Sequence, residues 1–140
     1  MPLPFRFSVI FPMALSAMAC SSSALPTTPP WVDGGLTLRL VSNVPDSNHY
    51  VDAQFENRTG APIKFGPPGC GTIQEWRDGE WQTLPRSDSC LAVIISLDDG
   101  KNFEFVFGVP AMPGMYRLVT GAVDSHDVRL TVSSGPVVVQ

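Results

Sequence analysis

Asp78-Gly79 is the strongest local instruction in this chain. The pair supplies the two positive φ angles of a two-residue type I′ turn, which joins antiparallel strands. Its flanks, Thr72–Arg77 and Glu80–Leu84, are strand-like. The turn therefore predicts a register in which Arg77 faces Glu80 as an opposite-charge pair, Trp76 faces Trp81 and Ile73 faces Leu84. A three-residue loop would shift that register and separate the tryptophans. A cross-strand aromatic pair contributes roughly 0.2–1 kcal/mol beyond small residues.

The rest of the chain repeats the same grammar. Leu36, Leu38 and Leu40 alternate with Thr37 and Arg39; Val51, Ala53 and Phe55 alternate with Asp52, Gln54 and Glu56. A period of two is the signature of a half-buried strand. Ile63–Phe65, Leu91–Ser96, Phe103–Val109, Met115–Val119 and Val128–Val132 read as further strands, and Val137–Val139 as an edge strand or a frayed end. Asn57-Arg58-Thr59-Gly60, Asp98-Asp99-Gly100 and Met112-Pro113-Gly114 are turns. No segment keeps a helical period over three turns, and no fixed-period repeat appears. Many short strands between turn signals predict an all-β, antiparallel sandwich of about seven strands.

The first nineteen residues read as an address. Arg6 precedes the apolar run Phe7–Met18, which is shorter than the roughly 20 residues a spanning helix needs. It fits the apolar region of a secretory signal, and Ala17 and Ala19 make a small-residue cleavage pattern. The end of the run, Leu15-Ser16-Ala17-Met18-Ala19-Cys20, resembles a bacterial lipoprotein signal. That resemblance implies lipidation of Cys20 and a cell-envelope protein held to a membrane through its N-terminal lipid. Ordinary signal-peptidase cleavage before a free Cys20 is the alternative. Residues 20–33, rich in Ser and Pro, read as a tether, leaving 34–140 as one domain.

Two cysteines remain, and they flank the hairpin. Cys70 and Cys90 are brought towards each other by the Asp78-Gly79 turn, and an exported setting permits oxidation. A disulfide there closes a loop of about 20 residues, for roughly 3 kcal/mol in the chain-entropy model. The rival is a metal pair. Zinc normally takes four ligands, and only His49 and His126 could join, both from outside the hairpin.

From Gln54 onward the chain resembles the immunoglobulin-like domains of bacterial exported proteins and lipoproteins. The resemblance rests on Phe55-Glu56-Asn57-Arg58-Thr59-Gly60, Ile63-Lys64-Phe65-Gly66, Asp78-Gly79-Glu80-Trp81 and Pro113-Gly114-Met115-Tyr116-Arg117-Leu118, in that order. More loosely, the same order resembles bacterial proteinase inhibitors of immunoglobulin-like fold. It implies an immunoglobulin-like sandwich and no catalytic site, since fold alone does not assign function.

Composition narrows the function. Nine basic residues against thirteen acidic ones give a net charge of −4, and no basic stripe points to nucleic acid. His49 and His126 sit in polar turns, and no nucleophile elbow accompanies them. Asp98-Asp99-Gly100-Lys101-Asn102 lacks the spacing and closing Glu of a calcium loop. Asn57-Arg58-Thr59 matches a glycosylation sequon but reads as a turn. No cofactor, metal or small-molecule substrate is evident. Trp81 is expected in the sandwich core with Trp76 beside it; the alternative makes Trp76 and Trp81 a partner-binding patch. Together these readings predict a non-enzymatic envelope lipoprotein whose domain is an interaction or structural module. A proteinase inhibitor presenting Gly66–Gly71 or Pro85–Ser89 is the alternative, and a small envelope hydrolase is the third reading.

Overall fold

In the computed structural model, which describes residues 32–86 and 89–140, Asp78 and Gly79 take φ angles of 55° and 86°. The turn is therefore the predicted one, and it sets the predicted register. Strand β4 (Thr72–Arg77) pairs with β5 (Glu80–Thr83) through Trp76↔Trp81 and Arg77↔Glu80. Leu84 N–H donates to the Ile73 carbonyl at 2.9 Å, continuing the ladder. The ionic partner differs from expectation: Arg77 bonds Glu75 on its own strand at 2.5 Å.

Eight more strands complete the structure: β1 (Leu36–Leu40), β2 (Tyr50–Asn57), β3 (Ile63–Phe65), β6 (Ile95–Leu97), β7 (Asn102–Gly108), β8 (Gly114–Val123), β9 (Arg129–Ser133) and β10 (Val137–Val139). Among the described residues the remaining regular element is a 3-10 turn at Pro68–Cys70. All pairings are antiparallel. One sheet has the order β1-β2-β7; the other has β5-β4-β8-β3-β6, with β9 and β10 also on β8. The class is all-β as predicted, but the described residues form ten strands in place of the expected seven or so.

The difference has identifiable causes. Strand β8 runs to Val123 rather than stopping at Val119, because β9 pairs along Val119–Val123. Its ten residues serve four neighbours. One edge carries β4 and then β3, and the other carries β10 and then β9. Leu91–Ile94, read as strand, has no ladder partner; pairing begins only at Ile95, opposite Phe65. An apolar run without a partner strand has nowhere to place its backbone hydrogen bonds and remains irregular.

Both sheets turn one face into a single core. Leu36, Leu38, Val51, Ala53 and Phe55 come from the smaller sheet; Ile63, Phe65, Leu118, Val132 and Val137 come from the larger. Phe55 meets Phe65 across the gap at 5.0 Å between ring centroids. Burying each such side chain contributes about 1.5–3 kcal/mol. One side of the molecule is sewn shut. Asp33 Oδ2 accepts from Thr131 N–H at 3.0 Å, and Val138 N–H donates to the Asn43 carbonyl at 3.0 Å. Asp33, assigned above to the tether, thus belongs to the folded unit.

Tyr116 fixes the entry to β8. It is fully buried, and its hydroxyl donates to the Met112 carbonyl at 3.0 Å. Burial, and then the charge of Glu75, raise its pKa above the ordinary tyrosine value. Tyr116→Phe is expected to destabilise the domain by about 1–2 kcal/mol, read by urea titration, because the Met112 carbonyl loses its donor.

Two loops adopt one design. Asp46 Oδ1 accepts from Asn48 and Tyr50 N–H at 2.9 and 2.8 Å; Asp124 Oδ1 accepts from His126 and Val128 N–H at 2.8 and 2.9 Å. In both, the fourth residue, His49 or Asp127, takes positive φ. The Val128 and His126 bonds hold the Asp124 carboxyl below its ordinary pKa. A depressed folded-state pKa gives stability that is present above the unfolded value and is lost as pH falls through the folded one. Asp124→Asn is thus expected to flatten this part of the acid limb in a pH–stability titration.

Candidate functional site

Among the described residues, the side opposite the sewn seam is open. Between β7, the outer strand of its sheet, and the base of the β4–β5 hairpin runs a groove of about 950 Å³. Ile73, Leu84, Ile95, Phe103 and Phe105 form its floor; all are half-buried and pack against the core. They are inward-facing residues at a place where the two sheets do not meet, so the groove is a gap in the sandwich filling, lined by its own apolar faces.

The wall is built by the cysteine-bearing segment. Cys70 is bonded to Cys90, with Cα atoms 6.0 Å apart. Cys70 N–H donates to the Pro67 carbonyl at 2.9 Å, closing the 3-10 turn. Arg86 Nη1 donates to the Gly71 carbonyl at 2.8 Å and ties the chain leaving β5 to the same wall. Gly69 presses against β7: a Cβ there would lie 2.6 Å from the Val106 carbonyl oxygen, so a side chain is excluded. Pro68 is buried beneath it. The Gly66–Gly71 segment therefore forms a groove wall rather than a projecting loop. Of Pro85–Ser89, residues 87 and 88 lie outside the described residues; Pro85, Arg86 and Ser89 are exposed.

After Cys90 the chain carries an apolar rim. Leu91 and Ile94 are 79% and 77% exposed, and Val93 is also exposed. The Val93 carbonyl oxygen lies close to Gly66, which places this rim beside the wall.

Trp76 and Trp81 do not enter the core. Ile73 pairs with Leu118, which is fully buried, so the opposite parity of β4, which includes Trp76, faces outward. The rings pack edge to face at 5.3 Å, with the Arg117 guanidinium over Trp81 at 4.5 Å. Arg117 Nε also donates to Gln74 Oε1 at 2.8 Å. Partial desolvation there lowers the Arg117 pKa. Trp81 Nε1 is buried without an acceptor. The pair is an outward ladder on the larger sheet, partly covered by Arg117, and stands apart from the groove.

The histidines lie at opposite ends of the β structure. His49 precedes β2, and its carbonyl accepts from Val109 N–H; its ring Nδ1 is buried without a partner. His126 follows β8, whose end pairs with Lys64 near Asn57 at the far end of β2. No group of three or more His, Cys, Asp or Glu is placed to hold a metal among the described residues. Asp98–Gly100 is a turn whose Asp99 carboxylate accepts from Gly60 N–H at 2.8 Å. Cys20 and the signal and tether residues through 31 lie outside the described residues. Among the described residues no helix is long and apolar enough to cross a membrane.

The sequon residue Asn57 is the most heavily bonded buried polar side chain described. Its Nδ2 donates to the Ala61 and Leu97 carbonyls at 2.8 and 2.9 Å; its Oδ1 accepts from Thr59 N–H and Oγ1 at 3.0 and 2.8 Å. The side chain is fully buried and so inaccessible to glycan transfer in the folded domain.

No protein-family model matches the chain, and no curated protein matches it. Solved structures of limited similarity include the following two. Northeast Structural Genomics Consortium target SoR45 is 10% identical over 78% of this chain and 90% of its own, with a TM-score of 0.46. The putative ApaA protein from Bordetella pertussis is 18% identical over 79% of this chain and 94% of its own, with a TM-score of 0.42. At TM-scores below 0.5 neither likeness defines the fold of this chain.

Proposed function

We propose that this protein is a non-enzymatic cell-envelope lipoprotein, anchored through Cys20, whose immunoglobulin-like sandwich serves as an interaction module. The observation that carries the reading is the exposed apolar rim Leu91–Ile94, held beside an open apolar groove by the Cys70–Cys90 bridge. Contiguous exposed apolar surface on a small domain marks a contact site. The immunoglobulin-like assignment is supported by two antiparallel sheets around one core. It is supported also by Tyr116, which bonds back to Met112 in the manner of a tyrosine corner.

Two measurements test the reading. Mass spectrometry of the mature N-terminal peptide is expected to find an acylated Cys20; an unmodified Cys20 removes the anchor. In the native envelope, site-specific cross-linking from the exposed position 92 is expected to trap one discrete partner. Leu91→Ser with Ile94→Ser is expected to abolish the product while leaving the thermal midpoint unchanged. A cross-linking pattern indifferent to both substitutions would count against an interaction role for this rim.

A further inference from the structure

The edge of β7 is open in a way that specifies what can occupy it. Val109 N–H donates to the His49 carbonyl, and the Lys101 carbonyl accepts from Asn57 N–H. These two positions bracket β7 and have the same parity, so its odd-numbered residues bond β2. The peptide groups of Asn102, Glu104 and Val106 therefore point away from β2, because successive residues of an antiparallel strand bond to opposite sides. Gly69 covers the Val106 carbonyl and closes the edge at that point. Glu104 remains beside the groove, Asn102 lies just beyond it with its Oδ1 accepting from Arg58 Nη2 at 3.5 Å, and among the described residues β7 has no further strand partner.

Side-chain chemistry adds a second constraint. A strand laid along this edge places alternate residues over Phe103, Phe105 and Ile95 in the apolar groove. The intervening residues fall on the outer face of the sheet. That face carries Glu104 and, on neighbouring β2, Asp52 and Glu56, of which Glu56 is ion-paired to Arg39 at 3.4 Å. Opposite charges across a strand pair stabilise it and like charges oppose it.

We propose that the β7 edge binds an extended polypeptide segment of alternating apolar and basic residues as an added strand. Backbone hydrogen bonds would supply the docking and the groove floor with Glu104 the selectivity, as in strand addition generally. The proposal rests on the interaction-module reading and names the partner class for it.

The test uses the full mature chain and fluorescence anisotropy with a labelled Val-Lys repeat peptide. Binding is expected, with at least about a tenfold loss when alternate peptide amides are N-methylated, corresponding to roughly one lost hydrogen bond. A Val-Glu repeat is expected to bind at least about tenfold more weakly than Val-Lys, and Glu104→Lys to reverse that preference. Glu104→Pro removes an outward N–H, a position where an edge strand tolerates proline, and is expected to abolish binding. Should that variant fail to fold by circular dichroism, the N-methylated peptide and Glu104→Lys carry the decision. Absence of Val-Lys binding, indifference to N-methylation or an unreversed charge preference would each overturn the proposal. So would concentration-dependent self-association abolished by Glu104→Lys, which assigns the edge to a second copy. If these arms fail while the rim cross-link persists, the interaction reading stands and the strand-addition inference alone falls.

Discussion

Asn57→Ala is expected to destabilise the domain by about 3–5 kcal/mol, the largest effect of any single substitution discussed for this protein. The side chain is fully buried and makes four hydrogen bonds. Removing it leaves the Leu97 carbonyl and the Thr59 N–H inside the fold without their partners, and unsatisfied buried groups cost more than made bonds contribute. The main chain at this position makes two further bonds, which Asn57→Ala retains. Asn57 N–H donates to the Lys101 carbonyl, and Gly100 N–H donates to the Asn57 carbonyl. The residue thus clamps the β2–β3 turn to the β6–β7 turn.

Asn57→Asp separates donors from acceptors. A carboxylate still accepts from Thr59 but opposes the Ala61 and Leu97 carbonyl oxygens. The introduced group therefore has its folded-state pKa raised above the unfolded value, and its protonated form is the one the fold accepts. Destabilisation should be greatest above the folded pKa and shrink as pH falls through it. Urea titrations of both variants between acid and neutral pH measure this. A loss below about 1 kcal/mol for Asn57→Ala would show that water replaces the side chain's bonds.

The second large effect concerns the Cys70–Cys90 bridge. Cys70→Ala with Cys90→Ala should lower stability by roughly 3 kcal/mol, as expected for a closed loop of about this length. The sequence separation is 20 residues. Reductant should lower the wild-type midpoint to that of the double variant and leave the variant unmoved. The groove wall should loosen with it, since Cys70 lies between the two glycines whose positions Arg86 and Val106 define. A wild-type midpoint insensitive to reductant would mean that the bridge adds nothing to the folded state.

Several elements were legible because their cause is local. The φ angles of Asp78-Gly79 belong to the turn itself, and the Trp76↔Trp81 register follows from counting outward from it. Alternation in Leu36–Leu40 and Tyr50–Asn57 placed the inward faces of β1 and β2 correctly. Other features needed partners far along the chain. The hairpin carries apolar residues on both faces, with Ile73 and Leu84 on one and the tryptophans on the other. Only pairing of β4 with β8 decides that Ile73 goes inward. Leu91–Ile94 has strand-forming composition but lacks a neighbouring edge to join. The one trace of the Asn57 hub in the sequence was its turn-like Asn-Arg-Thr-Gly context, which does not reveal a bond to Leu97, forty residues away. The shared design of the Asp46 and Asp124 loops did have a signal, the repeated Asp-Ser.

The sequence alone thus determined the β class, the hairpin with its register and the cysteines that could meet across it, because dihedral preference and period-two burial act over a few residues. Tertiary structure decided which sheet face the tryptophans occupy, which side of the sandwich is sewn shut and which is left open along β7. Those outcomes depend on which strand edges find partners, and a strand edge is satisfied or left open only by chain that is distant in sequence.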